Sequence, residues 1–361
     1  KKKKKGKWLL PSGEKLPQPW MQIGTATKRL SQIGQHIRNM ASTAKYYTKK
    51  IESAQNNSSL KLNHTCLRVK DPVRSVKFYE QHFGMQLLDH KKFPDMKFDL
   101  YFLAFPKESL VKNKDGKFEV FRESGVLELT HNYGTENDPE FKVNNGNTEP
   151  HRGFGHICFT VANIGKTCDE LESQGVKFQK KLADGRQKNI AFALDPDGYW
   201  IELVSYNRSE EQTADKGYKF NHTMIRIKDP VKSLEFYQNV LGMKLLDVNE
   251  HTNAKFTLYF LGYRDDEPRW SQEGVLELTH NWGTENDPSF KYHNGNEQPQ
   301  GYGHICISLD DPATVCQEID ERYGDSIAWG VKFNQGKMKN LAFIKDPDSY
   351  SIEVVPSDLA V

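Results

Sequence analysis

Asn63-His-Thr-Cys-Leu-Arg-Val-Lys-Asp-Pro72 returns 158 residues later as Asn221-His-Thr-Met-Ile-Arg-Ile-Lys-Asp-Pro230. Solenoid units repeat every 20–50 residues or so, roughly a third of this period or less. The repeat is domain-sized and describes a duplicated, fused module. Within the first copy, residues 65–70 alternate as a strand, with Leu67 and Val69 on one face and Cys66 and Arg68 on the other. Asp71-Pro72 supplies an N-cap and a first-turn proline, and Val73, Val76, Phe78 and Tyr79 fit an amphipathic helix that Gly84 ends. Strands are expected over 86–90, 98–105 and 126–131. The second half of the module repeats this order more faintly. It has a strand at 155–161, a helix at 164–174 stopped by Gly175, and strands at 176–179, 189–194 and 199–204. Each module thus reads as two β-α-β-β-β units and the chain as four. The expected class is α+β, with curved mixed sheets and helices outside. Module one covers 60–206, a polar linker 207–217 and module two 218–361, with a basic segment over 1–59 that reads as a disordered tail or a presequence.

The length of 361 residues suits two domains. With 20 Phe, 15 Tyr and 6 Trp there is material for sizeable cores. No apolar run approaches the roughly 18–20 residues of a membrane span, so no membrane partner is expected. Five cysteines without a C-x-x-C pair suggest reduced thiols rather than a disulfide framework. The net charge of +2 conceals a strong asymmetry. Residues 1–50 hold 13 Lys/Arg and one acidic residue, which leaves the remainder acidic. No basic patch interleaved with aromatics follows, so nucleic acid is not an expected partner. Residues 21–50 contain no acid and are rich in Lys, Arg, Ser, Thr and Gln, in the manner of a mitochondrial presequence. A cytoplasmic location is expected, or a mitochondrial one if this segment is a presequence.

Four glutamates sit in mid-strand at matching places. Glu128 and Glu277 occupy two copies of Val-Leu-Glu-Leu-Thr-His, while Glu202 and Glu353 lie in Trp-Ile-Glu-Leu-Val and Ser-Ile-Glu-Val-Val. Alternation alone allows each to face solvent. Facing inward, an unpaired carboxylate costs several kcal/mol or more and requires a cation, a metal or a proton. His156 and His304 open strands after paired glycines, and His64 and His222 open the first strand of each module. His131 and His280 alternate to the face opposite their neighbouring glutamates and read as packing or hydrogen-bonding residues. Two His₂Glu₂ sets remain. Mixed nitrogen and oxygen donors suit Zn²⁺, or an octahedral Ni²⁺, Co²⁺ or Fe²⁺. Arg68 and Arg226 share a strand face with the opening histidines, and Asn132 and Asn281 close the glutamate strands. These residues suggest an anionic ligand, although surface ion pairs would account equally for the arginines.

Taken together and in order, these motifs resemble the glyoxalase I (lactoylglutathione lyase) family of the vicinal oxygen chelate superfamily, in its fused two-module fungal form. The resemblance rests on Asn-His-Thr-Cys-Leu-Arg-Val-Lys-Asp-Pro, Leu-Glu-Leu-Thr-His-Asn, Gly-Phe-Gly-His-Ile and Asp-Pro-Asp-Gly-Tyr-Trp-Ile-Glu, and spans about 60 to 355. It implies isomerisation of the glutathione–methylglyoxal hemithioacetal to S-lactoylglutathione through a metal-stabilised enediolate. It also implies Glu202 and Glu353 as the principal bases, with Glu128 and Glu277 as ligands. Each site would draw two ligands from each module. Site A would combine His64, Glu128, His304 and Glu353, and site B His222, Glu277, His156 and Glu202, within a functional monomer. One Zn²⁺ per site is expected, with Ni²⁺ or Co²⁺ as alternatives. The expected substrate contacts are Arg68, Asn132, Arg226, Asn281, Arg152, Lys180, Lys188 and Met338. The copies differ where the family places a glutathione-binding arginine, Arg152 being answered by Gln300, and where it places a methionine, Met338 being answered by Gln187. Unequal glutathione affinity, weaker at site A, follows from that difference. A metal-free binding protein or an extradiol dioxygenase of the same fold are the competing readings.

Overall fold

The computed structural model describes residues 45–185, 187–206 and 217–359. Residues 1–44, with the presequence reading, and nearly all of the linker lie outside them. The expected tail over 1–59 needs correction at its C-terminal end, because residues 45–59 are ordered. Their helical turn α1 (Glu52–Gln55) buries Ala54, and Ile51 just before it is fully buried. Glu318 accepts hydrogen bonds from the backbone N–H groups of Glu52 and Ser53 at 2.9 Å each, satisfying donors that a helix start leaves open. Glu235 takes the N–H groups of Tyr46 and Tyr47 at 2.6 and 2.8 Å. The basic composition hid the few apolar and acceptor-seeking groups that dock this segment.

In module one, β1 (Lys61–Val69) leads into helix α2 (Pro72–Phe78), whose N-cap Asp71 accepts from the N–H groups of Val73 and Arg74. A wider turn over Tyr79–Phe83 extends the helix to Gly84, which ends it at φ 72°. Strands β2 (Gln86–Phe93), β3 (Phe98–Ala104) and β4 (Val126–Asn132) follow. The second unit comprises β5 (Phe154–Val161), α3 (Ile164–Ser173), β6 (Phe178–Lys180), β7 (Ile190–Leu194) and β8 (Trp200–Ser205). Module two repeats the plan with β9 (Lys219–Ile227), α4 (Pro230–Glu235), β10 (Lys244–His251), β11 (Phe256–Gly262) and β12 (Val275–Asn281). It finishes with β13 (Tyr302–Leu309), α5 (Pro312–Tyr323), β14 (Trp329–Val331), β15 (Ala342–Lys345) and β16 (Ser351–Pro356). All four units form as expected, with boundaries shifted by a few residues. Among the described residues no helix is long and apolar enough to cross a membrane.

The sheets do not follow the module boundary. One eight-stranded sheet runs β14-β15-β16-β13-β1-β4-β3-β2, and the other β10-β11-β12-β9-β5-β8-β7-β6. Each joins the first half of one module to the second half of the other through an antiparallel pair, β1 with β13 or β5 with β9. Left alone, either strand of the pair would expose a row of unpaired backbone groups. At the crossing of the modules Gly301 pairs with Asn144 and Gly153 with His293. A Cβ on Gly301 would lie 1.8 Å from the Asn144 carbonyl oxygen, and one on Gly153 1.9 Å from that of His293. Both positions admit only glycine for lack of space.

Gly301→Ala or Gly153→Ala is therefore expected to cost roughly 3 kcal/mol in urea unfolding, as overpacking does. Gly175→Ala, at φ 82° with nothing within 4 Å, should cost only about 1–2 kcal/mol from backbone strain.

Candidate active site

The four central strands of each sheet put the His₂Glu₂ set on one face. In the first sheet Cys66 on β1 stands opposite Glu128 on β4 and His304 on β13. Cys306 on β13 stands opposite His64 on β1 and Glu353 on β16. Laterally paired residues share a face, so the register alone gathers all four side chains around the β1–β13 seam. The second sheet does the same for His222, Glu277, His156 and Glu202 around β5–β9. In each group the four ligand atoms lie within 4.8 Å of one another. The structure thus brings together the two sets expected as sites A and B.

The distances are those of donors around a cation. At site A, His64 Nε2 lies 3.1 Å from Glu128, 3.4 Å from Glu353 and 3.2 Å from His304 Nε2. At site B, His222 Nε2 lies 3.1 Å from Glu277, 3.2 Å from Glu202 and 3.2 Å from His156 Nε2. Donors about 2.0–2.2 Å from a shared ion would be separated by roughly 3.0–3.6 Å. The hydrogen bonds behind two of the imidazoles support the same conclusion. Asn63 donates Nδ2 to the carbonyls of Val120 and Glu123, leaving its Oδ1 to accept from His64 Nδ1 at 2.7 Å. Asn221 repeats this with the carbonyls of Arg269 and Gln272 and with His222 Nδ1 at 2.8 Å. A proton committed to Nδ1 directs the Nε2 lone pair inward, where it meets a second imidazole nitrogen and two carboxylates. Such a concentration of donors fits a divalent cation.

Burial and mutual fields shape these groups further. Burial alone would raise Glu128 and Glu202, but the facing imidazoles outweigh it and hold both below the usual carboxylate range. Burial acts against protonated His304 and His222, yet both are raised, His304 chiefly by Cys66 and Glu353, His222 by Glu202 and Glu277. Aromatic rings dry the surroundings. Phe102, Phe343, Phe260 and Phe192 stand opposite the four glutamates across their sheets. The glutamates are not equivalent, however. Glu128 and Glu277 each accept a threonine hydroxyl, from Thr130 at 3.0 Å and Thr279 at 3.2 Å. Glu353 and Glu202 accept no such hydroxyl among the described residues and, besides the imidazoles, face the thiols of Cys306 and Cys158.

The expected substrate contacts divide into two groups. Arg226 is buried and Arg68 half-buried, and neither forms an ion pair among the described residues. Arg226 donates to the carbonyls of Gly146, Gly153 and Phe154 and to Asn147 Oδ1. Arg68 donates to those of Gly301 and Tyr302 and to Asn296 Oδ1. Arg152 lies close enough to Arg226 to disfavour its charge, and Asn281 donates to the Tyr292 hydroxyl at 2.9 Å. Site A has Gln300 for Arg152 and Val143 for Tyr292. Asn132 ends β4, where its carbonyl accepts Thr135 Oγ1. Met338 packs against the apolar cluster beside His64. Lys180 ends β6 and Lys188 lies in the loop before β7. Lys180 donates to the carbonyls of Gln187 and Ile190, and Lys188 to that of Ala183. His131 and His280 bond Glu136 and Glu285 at 2.7 Å, as their opposite-face placement implied. All five cysteines are buried and unpaired.

Sequence reasoning missed Asn63, Asn221, Thr130 and Thr279, all lying inside the repeated motifs next to or two residues from a ligand. Replacing Asn63 or Asn221 with Ala should lower divalent-metal affinity at the affected site by about 10–100-fold, read by competitive metal titration.

The profile of the Glyoxalase/Bleomycin resistance protein/Dioxygenase superfamily matches residues 61–203 and 219–354. Glyoxalase I of Saccharomyces cerevisiae is 65% identical over 324 residues, 89% of this chain and 99% of the yeast protein. Lactoylglutathione lyase of Schizosaccharomyces pombe is 50% identical over 299 residues, 82% of this chain and 97% of its own length. The crystal structure of glyoxalase I from Zea mays superposes with a TM-score of 0.64 at 29% identity, covering 83% of this chain and 93% of the maize chain. Two matched modules, sheets shared between them and relatives aligned almost end to end place this chain in the glyoxalase I family of that superfamily.

Proposed function

We propose that this chain is a lactoylglutathione lyase that isomerises the glutathione–methylglyoxal hemithioacetal to S-lactoylglutathione at two sites, each complete within one chain. The observation that carries this reading is the pair of buried His₂Glu₂ clusters, assembled across the module seam in a member of this family. A divalent cation held there would act as a Lewis acid toward the substrate's two oxygens. The donor set suits Zn²⁺, and Ni²⁺ or Co²⁺ would meet the same ligands.

The residues divide the remaining work. Glu353 at site A and Glu202 at site B lack the threonine clamp of their partner glutamates, which fits them to take the proton from the sulfur-bearing carbon and return it to its neighbour. Nothing is gained or lost overall, so no co-reactant is needed. The phenylalanines beside each cluster limit water access during the transfer. Arg226, Arg152 and Asn281 would receive glutathione carboxylates at site B, and Arg68 and Asn132 at site A, where Gln300 offers a neutral amide in place of a guanidinium. Because each cluster closes within the polypeptide, a monomer should be fully active. A metal-free binding protein would have no use for two carboxylates buried against two imidazoles.

Metal analysis should find two divalent ions per chain, and thioester formation should stop on chelation and recover with Zn²⁺. Protein that takes up no divalent ion when offered one, and shows no turnover in its presence, would overturn the proposal. Glu353→Gln leaves only site B active and Glu202→Gln only site A, while the double substitution should lose about 10²–10⁴-fold in rate. The site A enzyme should show a KM roughly tenfold higher, the worth of one charge-assisted hydrogen bond. Equal KM values would remove the argument from Arg152 and Gln300.

A further inference from the structure

The two sites share their ligands but not their inner walls. At site A, Val120, Phe102, Phe121 and Leu88 form an apolar cluster, and Met338 and Phe343 pack on it. His64 lies against this wall, its ring 5.7 Å from Phe102 and 6.1 Å from Phe121. At site B the repeat places Arg269 at the position of Val120 and Trp270 at that of Phe121. Arg269 is only 5% exposed. Its guanidinium carbon lies 3.5 Å from the ring centre of Phe260 and 3.4 Å from that of Trp270. Both rings also flank His222, at 5.8 and 6.5 Å. The Arg269 carbonyl accepts the Asn221 amide that orients His222, and the charges of Glu277 and Glu202 both reach its guanidinium.

A purely structural arginine in such a place would have its donors satisfied. Here Nε donates to Asp247 at 2.8 Å, but Nη1 is buried without a hydrogen-bond partner among the described residues. Leaving a charged donor unpaired is costly, and the cost is recovered when an acceptor reaches it. Among the described residues nothing comparable stands at site A. Asp89, the counterpart of Asp247, pairs with Lys91 on a partly exposed strand.

We infer that Arg269 makes site B selective for 2-oxoaldehydes whose substituent ends in an anionic group, while the apolar wall of site A favours hydrocarbon substituents. The inference rests on the lyase reading above. Apart from glutathione, the substituent on the carbonyl carbon is the only variable part of the hemithioacetal. It is one bond from a reacting carbon that must lie beside Glu202 and Glu277, and so within reach of the Phe260–Trp270–Arg269 wall. The same internal proton shift operates on every such substrate.

The test uses full-length Glu353→Gln and Glu202→Gln chains with the glutathione hemithioacetals of methylglyoxal, phenylglyoxal and 4,5-dioxopentanoate. The ratio of kcat/KM for 4,5-dioxopentanoate over phenylglyoxal should be about 10–100-fold higher at site B than at site A. Arg269→Val combined with Asp247→Asn, which leaves no unpaired buried charge, should bring the site B ratio to that of site A. Equal ratios in the two single-site chains, with methylglyoxal turnover intact, would overturn the inference without involving any variant of Arg269. A difference that survives the double substitution would overturn the assignment to Arg269. Loss of methylglyoxal turnover in both single-site chains would instead overturn the lyase reading.

Discussion

Everything at the two clusters depends on the antiparallel seam between β1 and β13 and its counterpart between β5 and β9. Backbone hydrogen bonds across this seam set the register, and the register sets which side chains become neighbours. A slip of one residue would turn His64 or His304 to the opposite face and dissolve the cluster. The pairing is between modules, so neither copy of the repeat holds a complete set of donors. Duplication supplied two half-sites and fusion guaranteed that they meet. The glycines at the crossing, with no room for a Cβ, show how closely the backbones approach there.

That constraint explains the balance of forces in each cluster. With neither a cation nor a proton at their centre, four donors with inward-facing lone pairs and negative charges would repel one another in a dry environment. Strong strands hold them in place regardless, and the Asn63 and Asn221 amides fix the imidazole orientation from behind. The sheets therefore preorganise a geometry that the side chains alone would not adopt. The hydroxyls of Thr130 and Thr279 complete the support on one glutamate of each pair and leave the other less restrained.

Much of this was legible because the chain carries its own comparison. Duplication exposed the eight clustered His and Glu residues as polar groups standing in matching strands, and alternation put His64 and Arg68 on one face. The cross-module assembly came from family resemblance rather than from spacing, since no periodicity within β1 states that its neighbour is β13. Lys180 and Lys188 are harder to read, because a basic residue near a site looks the same in sequence whether it awaits an anion or closes its own loop. Their donors go to loop carbonyls, an accounting that only coordinates supply. The ordering of residues 45–59 was obscured for a similar reason. Net charge describes a segment's average, whereas docking depends on a few groups such as Ile51 and Ala54.

The differences between the copies run in one direction. Site B gathers Arg226, Arg152 and Arg269, while the matching places at site A hold Arg68, Gln300 and Val120. A guanidinium costs most where it is most buried, and Arg269 is held in a dry wall by Asp247 and two aromatic faces. A site repeated by symmetry in a homodimer must serve both copies with one set of walls. Fusion removes that requirement, because a substitution such as Val to Arg then alters one site alone. The seam between modules keeps the His and Glu donors common to both sites, while the loops and walls away from it are free to specialise.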